Sequence, residues 1–247
     1  MSNHPNVAHN RSEAFNHLTI THDRTFNGKP LYYHKDGLVL EYLEGIDRVL
    51  TEALCQYPKL CVAHFNVRLP SDFDGNHSEV FSRFFRTLKL ETNELCLMKY
   101  RRRPHQYHQT VIRHVWFKAC ESTSQYHLVL LFEKRLYLCL GKSRGERSRY
   151  LSGVRKAWDR AVEEDHGIRC SGLAYSPSDD VYELLKGDEA FPLQLNELFY
   201  RISRLAKPIA NQNDNRSMNF GCSHDSLKKY SVSNTYVIHR LRGITHV

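Results

Sequence analysis

Two apolar runs of strand length, residues 110–120 and 125–132, are separated by only four residues, Glu121 to Ser124. That spacing predicts an antiparallel hairpin, and it limits the folds open to the chain more than any other feature. An amphipathic segment lies on each side of it. Val80, Phe81, Phe84, Phe85 and Leu88 come before, and Leu151, Val154, Ala157, Trp158, Ala161 and Val162 come after. Both sets recur at the three- and four-residue spacing of one helix face. Beyond them stand two further strand-like runs, residues 60–69, closed by Pro70, and residues 168–175.

The resulting order is strand, helix, strand, strand, helix, strand. It predicts an α+β fold, a split β-α-β, ferredoxin-like antiparallel sheet with helices on one face. An N-terminal helix is expected over residues 38–54, from the recurrence of Tyr42, Leu43, Ile46, Val49, Leu50 and Ala53, with Pro58 as its stop. A last helix is expected over 193–207, with Pro208 beyond it, and short strands over 136–140 and 180–185. Phe220 and Gly221 read as a turn near that helix. Residues 1–35, rich in Asn and His, read as an irregular arm, residues 36–223 as the domain, and residues 224–247 as an extension.

Composition enters through what it excludes. With 41% hydrophobic residues the 247-residue chain is not disordered, and no apolar run approaches the roughly 20 residues of a membrane span. The first residues lack the charged start and apolar stretch of a signal peptide, so a cytoplasmic protein is expected. Seven cysteines, odd in number and without a C-x-x-C pair, argue against a disulfide framework or structural zinc. The net charge of +8 is local: residues 101–160 carry 14 Lys and Arg against 4 Asp and Glu, while the remainder is slightly acidic. A basic stretch of this kind points to phosphate, and the run Arg101, Arg102, Arg103 within it is a candidate nucleic-acid contact.

Several strings in order resemble the inovirus gene-2-like (YagK/YfjJ-type) family of phage and prophage replication-associated proteins. They are His64-Phe65-Asn66-Val67-Arg68-Leu69-Pro70, Arg113-His114-Val115-Trp116-Phe117-Lys118, Tyr126-His127-Leu128-Val129 and Lys156-Ala157-Trp158. Val181-Tyr182-Glu183-Leu184, Leu198-Phe199-Tyr200-Arg201-Ile202-Ser203 and Asn219-Phe220-Gly221-Cys222-Ser223 follow. The family is similar to HUH-type rolling-circle endonucleases. The resemblance implies a Rep-type domain, a divalent metal (Mg²⁺ or Mn²⁺) held by two strand histidines, and a helix tyrosine that attacks a DNA phosphate. Residues i and i+2 of a strand share a face, so two imidazoles can converge on one ion.

The chain departs from that pattern at four places. The metal motif, His-Tyr-His in relatives, reads Gln125-Tyr126-His127, which leaves His127 as the metal ligand with Gln125 beside it as a poorer one. Asn66 stands at an aspartate position, Ala119 at a glutamate position and Arg204 at the position of the nucleophilic tyrosine. Two negative charges are lost and one positive charge is gained, and a guanidinium cannot serve as the nucleophile. The expectation is a DNA-binding relative that holds single-stranded or origin-like DNA without cleaving it, with no metal if the ligand set has lapsed. Its phosphate contacts are expected from Arg101, Arg102, Arg103, Lys118, Arg204 and Lys207. The alternative is an active nickase in which Tyr200, one helical turn before Arg204, supplies the phenol. A protein-interaction module with incidental charge is the third reading.

Overall fold

A computed structural model of the chain describes residues 18–101, 111–120, 123–139, 149–167, 171, 173–176, 181–209 and 219–223. In chain order the elements are β1 (Ile20–Thr21), β2 (Thr25–Phe26), β3 (Lys29–Pro30), β4 (Leu38–Val39), α1 (Leu40–Gln56), β5 (Lys59–Arg68) and α2 (His77–Tyr100). Next are β6 (Arg113–Lys118), β7 (Gln125–Glu133), α3 (Lys134–Cys139), α4 (Arg149–His166), β8 (Ala174–Tyr175), β9 (Val181–Leu185), α5 (Phe191–Ser203) and β10 (Phe220–Cys222). The protein is thus mixed α+β, built on one main antiparallel sheet.

The strand order of that sheet is β10-β6-β7-β5-β8, and β9 pairs with the same edge of β5 as β8 does. Helix α2 connects β5 to β6, and β7 runs between those two strands. The expected hairpin is β6–β7, with Val115 opposite Val129 and Phe117 opposite His127.

Both faces of the sheet are covered, not one. Cys61, Ala63, Phe65 and Val67 of β5, with Tyr126, Leu128 and Leu130 of β7, point into a core with Val80, Phe81 and Phe84 of α2 and Val154 and Trp158 of α4. The alternate residues Leu60, Val62, Val129, Leu131, Val115 and Phe117 meet Leu43, Ile46 and Leu50 of α1 and Leu198, Phe199 and Ile202 of α5. Strands apolar on both sides need two covers, and the amphipathic stripes of α1 and α5 supply the second.

Local chemistry sets several boundaries. The side chain of Asn76 caps α2 by accepting a hydrogen bond from the Ser78 N–H at 2.9 Å. Pro192 sits in the first turn of α5, where its missing N–H costs nothing. That helix ends at Ser203, four residues earlier than expected. The Leu205 and Ala206 N–H groups bond back to Ile202 and Ser203, and the Ala206 carbonyl then accepts from the Val39 N–H at 2.8 Å. Lys207 therefore lies past the helix, on the segment tied to the entry of α1.

Three other expectations change. Residues 134–139 form a helix where a strand over 136–140 was expected. Phe220–Cys222 is a strand, not a turn, and pairs with β6 along the sheet edge. Gly221 is required there because a Cβ would overlap the indole of Trp116. Trp116 in turn is stacked on Phe81 at 4.2 Å and cannot yield. Finally, the helix expected around residues 80–88 continues to Tyr100.

Candidate functional site

On the face of β5 that meets α1 and α5, the side chains run Leu60, Val62, His64, Asn66, Arg68. On the same face of β7 they run Leu131, Val129, His127, Gln125. Each row begins apolar and turns polar, and the antiparallel register lays the two polar halves side by side. Asn66 is opposite His127, Arg68 is opposite Gln125, and His64 is opposite Val129. Directly opposed side chains on one face are neighbours.

The contacts follow from that register. His127 Nδ1 and Asn66 Oδ1 are 2.7 Å apart, and His64 Nε2 is 3.3 Å from the same His127 nitrogen. A carbonyl oxygen can only accept, so His127 carries its proton on Nδ1 and donates it to Asn66, and His64 Nε2 acts as a second acceptor. Tyr175 of β8 stands opposite Asn66 on the same face and is exposed. The Ser176 hydroxyl donates to the His64 carbonyl at 3.0 Å.

Both imidazoles are held neutral. Burial, then His127, then the Arg204 guanidinium push His64 down to about 4. Burial, Arg204 and Lys207, in that order, push His127 down as well. Arg204 and Lys207 are exposed, and among the described residues neither pairs with a carboxylate. The Lys207 ammonium lies 5.8 Å from the centre of the Tyr32 ring. Tyr32 is fixed by its backbone N–H, which donates to the buried Ser203 hydroxyl at 2.9 Å.

An acid-sensitivity prediction arises from the His64 shift. Between the unfolded value of about 6.5 and the folded value of about 4, the unfolded chain binds a proton that the folded chain refuses. Stability is therefore full above that window and is lost as pH falls through it, by roughly 3 kcal/mol. Urea denaturation at neutral pH and near pH 4 checks this, against a His64→Gln variant that removes the titrating ring. Equal pH slopes for the two proteins would refute it.

The expected site residues divide into three groups. His127 lies in the imidazole cluster, and the positive charges of Arg204 and Lys207 act on it. Gln125, opposite Arg68 at the exposed end of the strand pair, is not drawn into the imidazole cluster. Tyr200 is 42% exposed and meets Tyr32 edge-to-face at 5.8 Å. Lys118 is opposite Tyr126, so it lies on the other face of the sheet, the one beneath α2 and α4. Arg101 closes α2, while Arg102 and Arg103 lie outside the described residues. The basic stretch is also less free than its count implies. Arg113 pairs with Glu52, Lys134 with Glu183, Arg135 with Glu133, and Arg160 with Glu91.

His64 was not among the residues singled out from the sequence. Its signal was present in the alternation Leu60, Val62, His64, Asn66, which turns polar halfway along a strand that is otherwise buried on that face.

A divalent cation suits these residues poorly. Among the described residues the donors brought together are two imidazole nitrogens and one neutral amide oxygen, with no carboxylate bonded to them, and the positive charges of Arg204 and Lys207 act on the rings. Mg²⁺ and similar hard ions are bound through carboxylates. Among the described residues no group of three His, Cys, Asp or Glu could hold a metal. No helix of the described residues is long and apolar enough to cross a membrane.

No curated protein and no solved structure matches the chain. The family model of the YagK/YfjJ C-terminal domain matches residues 21–223, a span that begins in β1, takes in His64, His127 and Arg204, and closes just after β10. With most of its length covered in this way, the chain belongs to the YagK/YfjJ C-terminal domain family.

Proposed function

We propose that this chain is a cytoplasmic, DNA-binding, replication-associated protein of phage or prophage type, descended from a rolling-circle initiator and no longer able to cleave. The observation that carries this reading is that the buried His64–His127 couple is kept neutral under the positive charges of Arg204 and Lys207, where the resemblance calls for a tyrosine, a carboxylate and a metal. Positive charge acting on neutral rings favours a phosphate backbone and disfavours a metal. The antiparallel sheet, in which β7 lies between β5 and β6, supports the descent, because an HUH-type ancestor would carry a split β-α-β sheet. Similarity to inovirus gene-2-like proteins is part of the same reading.

The test is binding of single-stranded oligonucleotides by fluorescence anisotropy across a salt series, with EDTA and with Mg²⁺ or Mn²⁺, followed by a denaturing gel for covalent adducts. Binding should survive EDTA, and no adduct should form. Arg204→Ala should weaken binding and flatten the log–log salt slope by about one unit. An adduct that disappears in Tyr200→Phe would establish the nickase instead. Undetectable binding at low salt would overturn the DNA reading.

A further inference from the structure

We propose that Tyr175, on the uncovered half of the sheet face, is a stacking platform for one unpaired base of single-stranded DNA, with Arg68 beside it for the flanking phosphate. This rests on the DNA reading and adds a site and a preference to it, for unpaired bases over a closed duplex.

Helices α1 and α5 cover only part of the face they pack on. Along β5 on that face, Leu60 and Val62 are buried, His64 and Asn66 are half-buried, and Arg68 is exposed. On β7 the same gradient runs from buried Val129 through His127 to exposed Gln125. Tyr175 belongs to this open end. Its neighbour Ala174 is buried in the core beneath α2 and α4, so the Tyr175 ring is turned to the opposite face, in register with Asn66. There it is 50% exposed.

The ring is held by paired backbone on both sides. Ala174 pairs with Val67, the Arg68 N–H donates to the Leu173 carbonyl at 2.9 Å, and the Ser176 hydroxyl donates to the His64 carbonyl at 3.0 Å. Arg68 lies two residues beyond Asn66 on the same face, so it is a diagonal neighbour of Tyr175. Such neighbours are about 7–8 Å apart, within reach of a long side chain. Among the described residues the side chains of Tyr175, Arg68 and Gln125 have no ring, hydrogen-bond or ion-pair partner. The exposed rings of Tyr33 and Tyr200 differ in this, since Arg24 and Tyr32 lie against them.

An open ring beside an open guanidinium matches one nucleotide. Every base has a π-face that stacks on an aromatic ring whatever the sequence, while a duplex keeps those faces occupied. The guanidinium matches two oxygens of the flanking phosphate. The row at this end, Arg68, Gln125 and Ala119, carries one positive charge and no negative one, which suits the phosphate. An apolar partner would find a single ring here among polar neighbours.

The experiment crosses a change in the protein with a change in the DNA. Binding of the full chain is measured by anisotropy with a short thymidine strand, an abasic strand of equal length and charge, and a duplex. The thymidine strand should bind roughly tenfold tighter than either of the others. Tyr175→Ala should lose roughly tenfold on the thymidine strand. Because each change removes one half of the same stack, the protein and DNA losses should not add. Tyr175→Phe, which keeps the ring, should restore the discrimination. Arg68→Ala should weaken both single strands and flatten the salt slope by about one unit. These positions are exposed, so the fold should survive the substitutions. If Tyr175→Ala still separates thymidine from abasic strand as the parent does, the platform is wrong and the DNA reading stands. Equal binding of all three DNAs by the parent would overturn the platform in the same way. If no DNA binds at low salt, the DNA reading and the platform fall together.

Discussion

Replacing Glu52 by alanine should cost about 3 to 5 kcal/mol, a large share of the roughly 5 to 15 kcal/mol that holds a domain together. Arg113 is 2% exposed at the start of β6 and pairs with the Glu52 carboxylate from α1, with Gln56 Oε1 3.4 Å away as a weaker partner. The substitution takes the Glu52 carboxylate away from a buried guanidinium, and that part of the desolvation penalty is then no longer offset. Nearby, the Val111 N–H donates to the Tyr57 hydroxyl at 2.8 Å, so the end of α1 and the approach to β6 loosen together. The melting temperature should fall by about 10 °C. The pair Glu52→Leu with Arg113→Met should recover most of the loss, because both charges leave together. A single variant as stable as the parent in thermal and urea melts would show that the ion pair is not what joins α1 to the sheet.

Trp158→Ala should be of similar size, about 3 to 5 kcal/mol. The indole is fully buried in α4, with its ring centre 5.1 Å from that of Phe81 and 5.4 Å from that of Phe84. Its N–H donates to the Arg68 carbonyl at 3.0 Å. That bond pins the end of β5 two residues beyond Asn66, so the cavity should also loosen the Asn66–His127 contact. Trp158→Phe keeps most of the packing and removes only the hydrogen bond, which should cost about 1 kcal/mol. Urea midpoints order the three proteins; an alanine variant no weaker than the phenylalanine one would mean that packing at this position contributes little.

The β6–β7 hairpin was legible because a four-residue gap between two strand-length runs admits few alternatives. The second cover of the sheet was not. Helices α1 and α5 are visible as amphipathic segments, but which face they cover is decided by the alternate row of Leu60, Val62, Val115 and Phe117. Residues 134–139 were misread because Leu136-Tyr137-Leu138-Cys139 is apolar throughout and carries neither period. Three-residue β10 has too little sequence to announce itself. At the site, His127 was legible from strand alternation and resemblance. His64 was not, because its closeness to His127 depends on the β5–β7 register across 63 residues. The basic stretch misled in another way: Glu52, Glu91 and Glu183, all outside it, pair with Arg113, Arg160 and Lys134.

Strand β10 has a bearing on how the chain survives its own synthesis. Until Phe220, Gly221 and Cys222 emerge and pair with Phe117, Trp116 and Val115, the outer edge of β6 is an open template of unpaired backbone groups. At about 5 to 20 residues per second, the stretch between the two strands takes roughly 5 to 20 s to make. During that interval β6, with its Val-Trp-Phe centre, is free to pair with a neighbouring nascent chain. The hazard for this fold is thus one of timing: the strand that closes the sheet is the last described strand that the ribosome delivers.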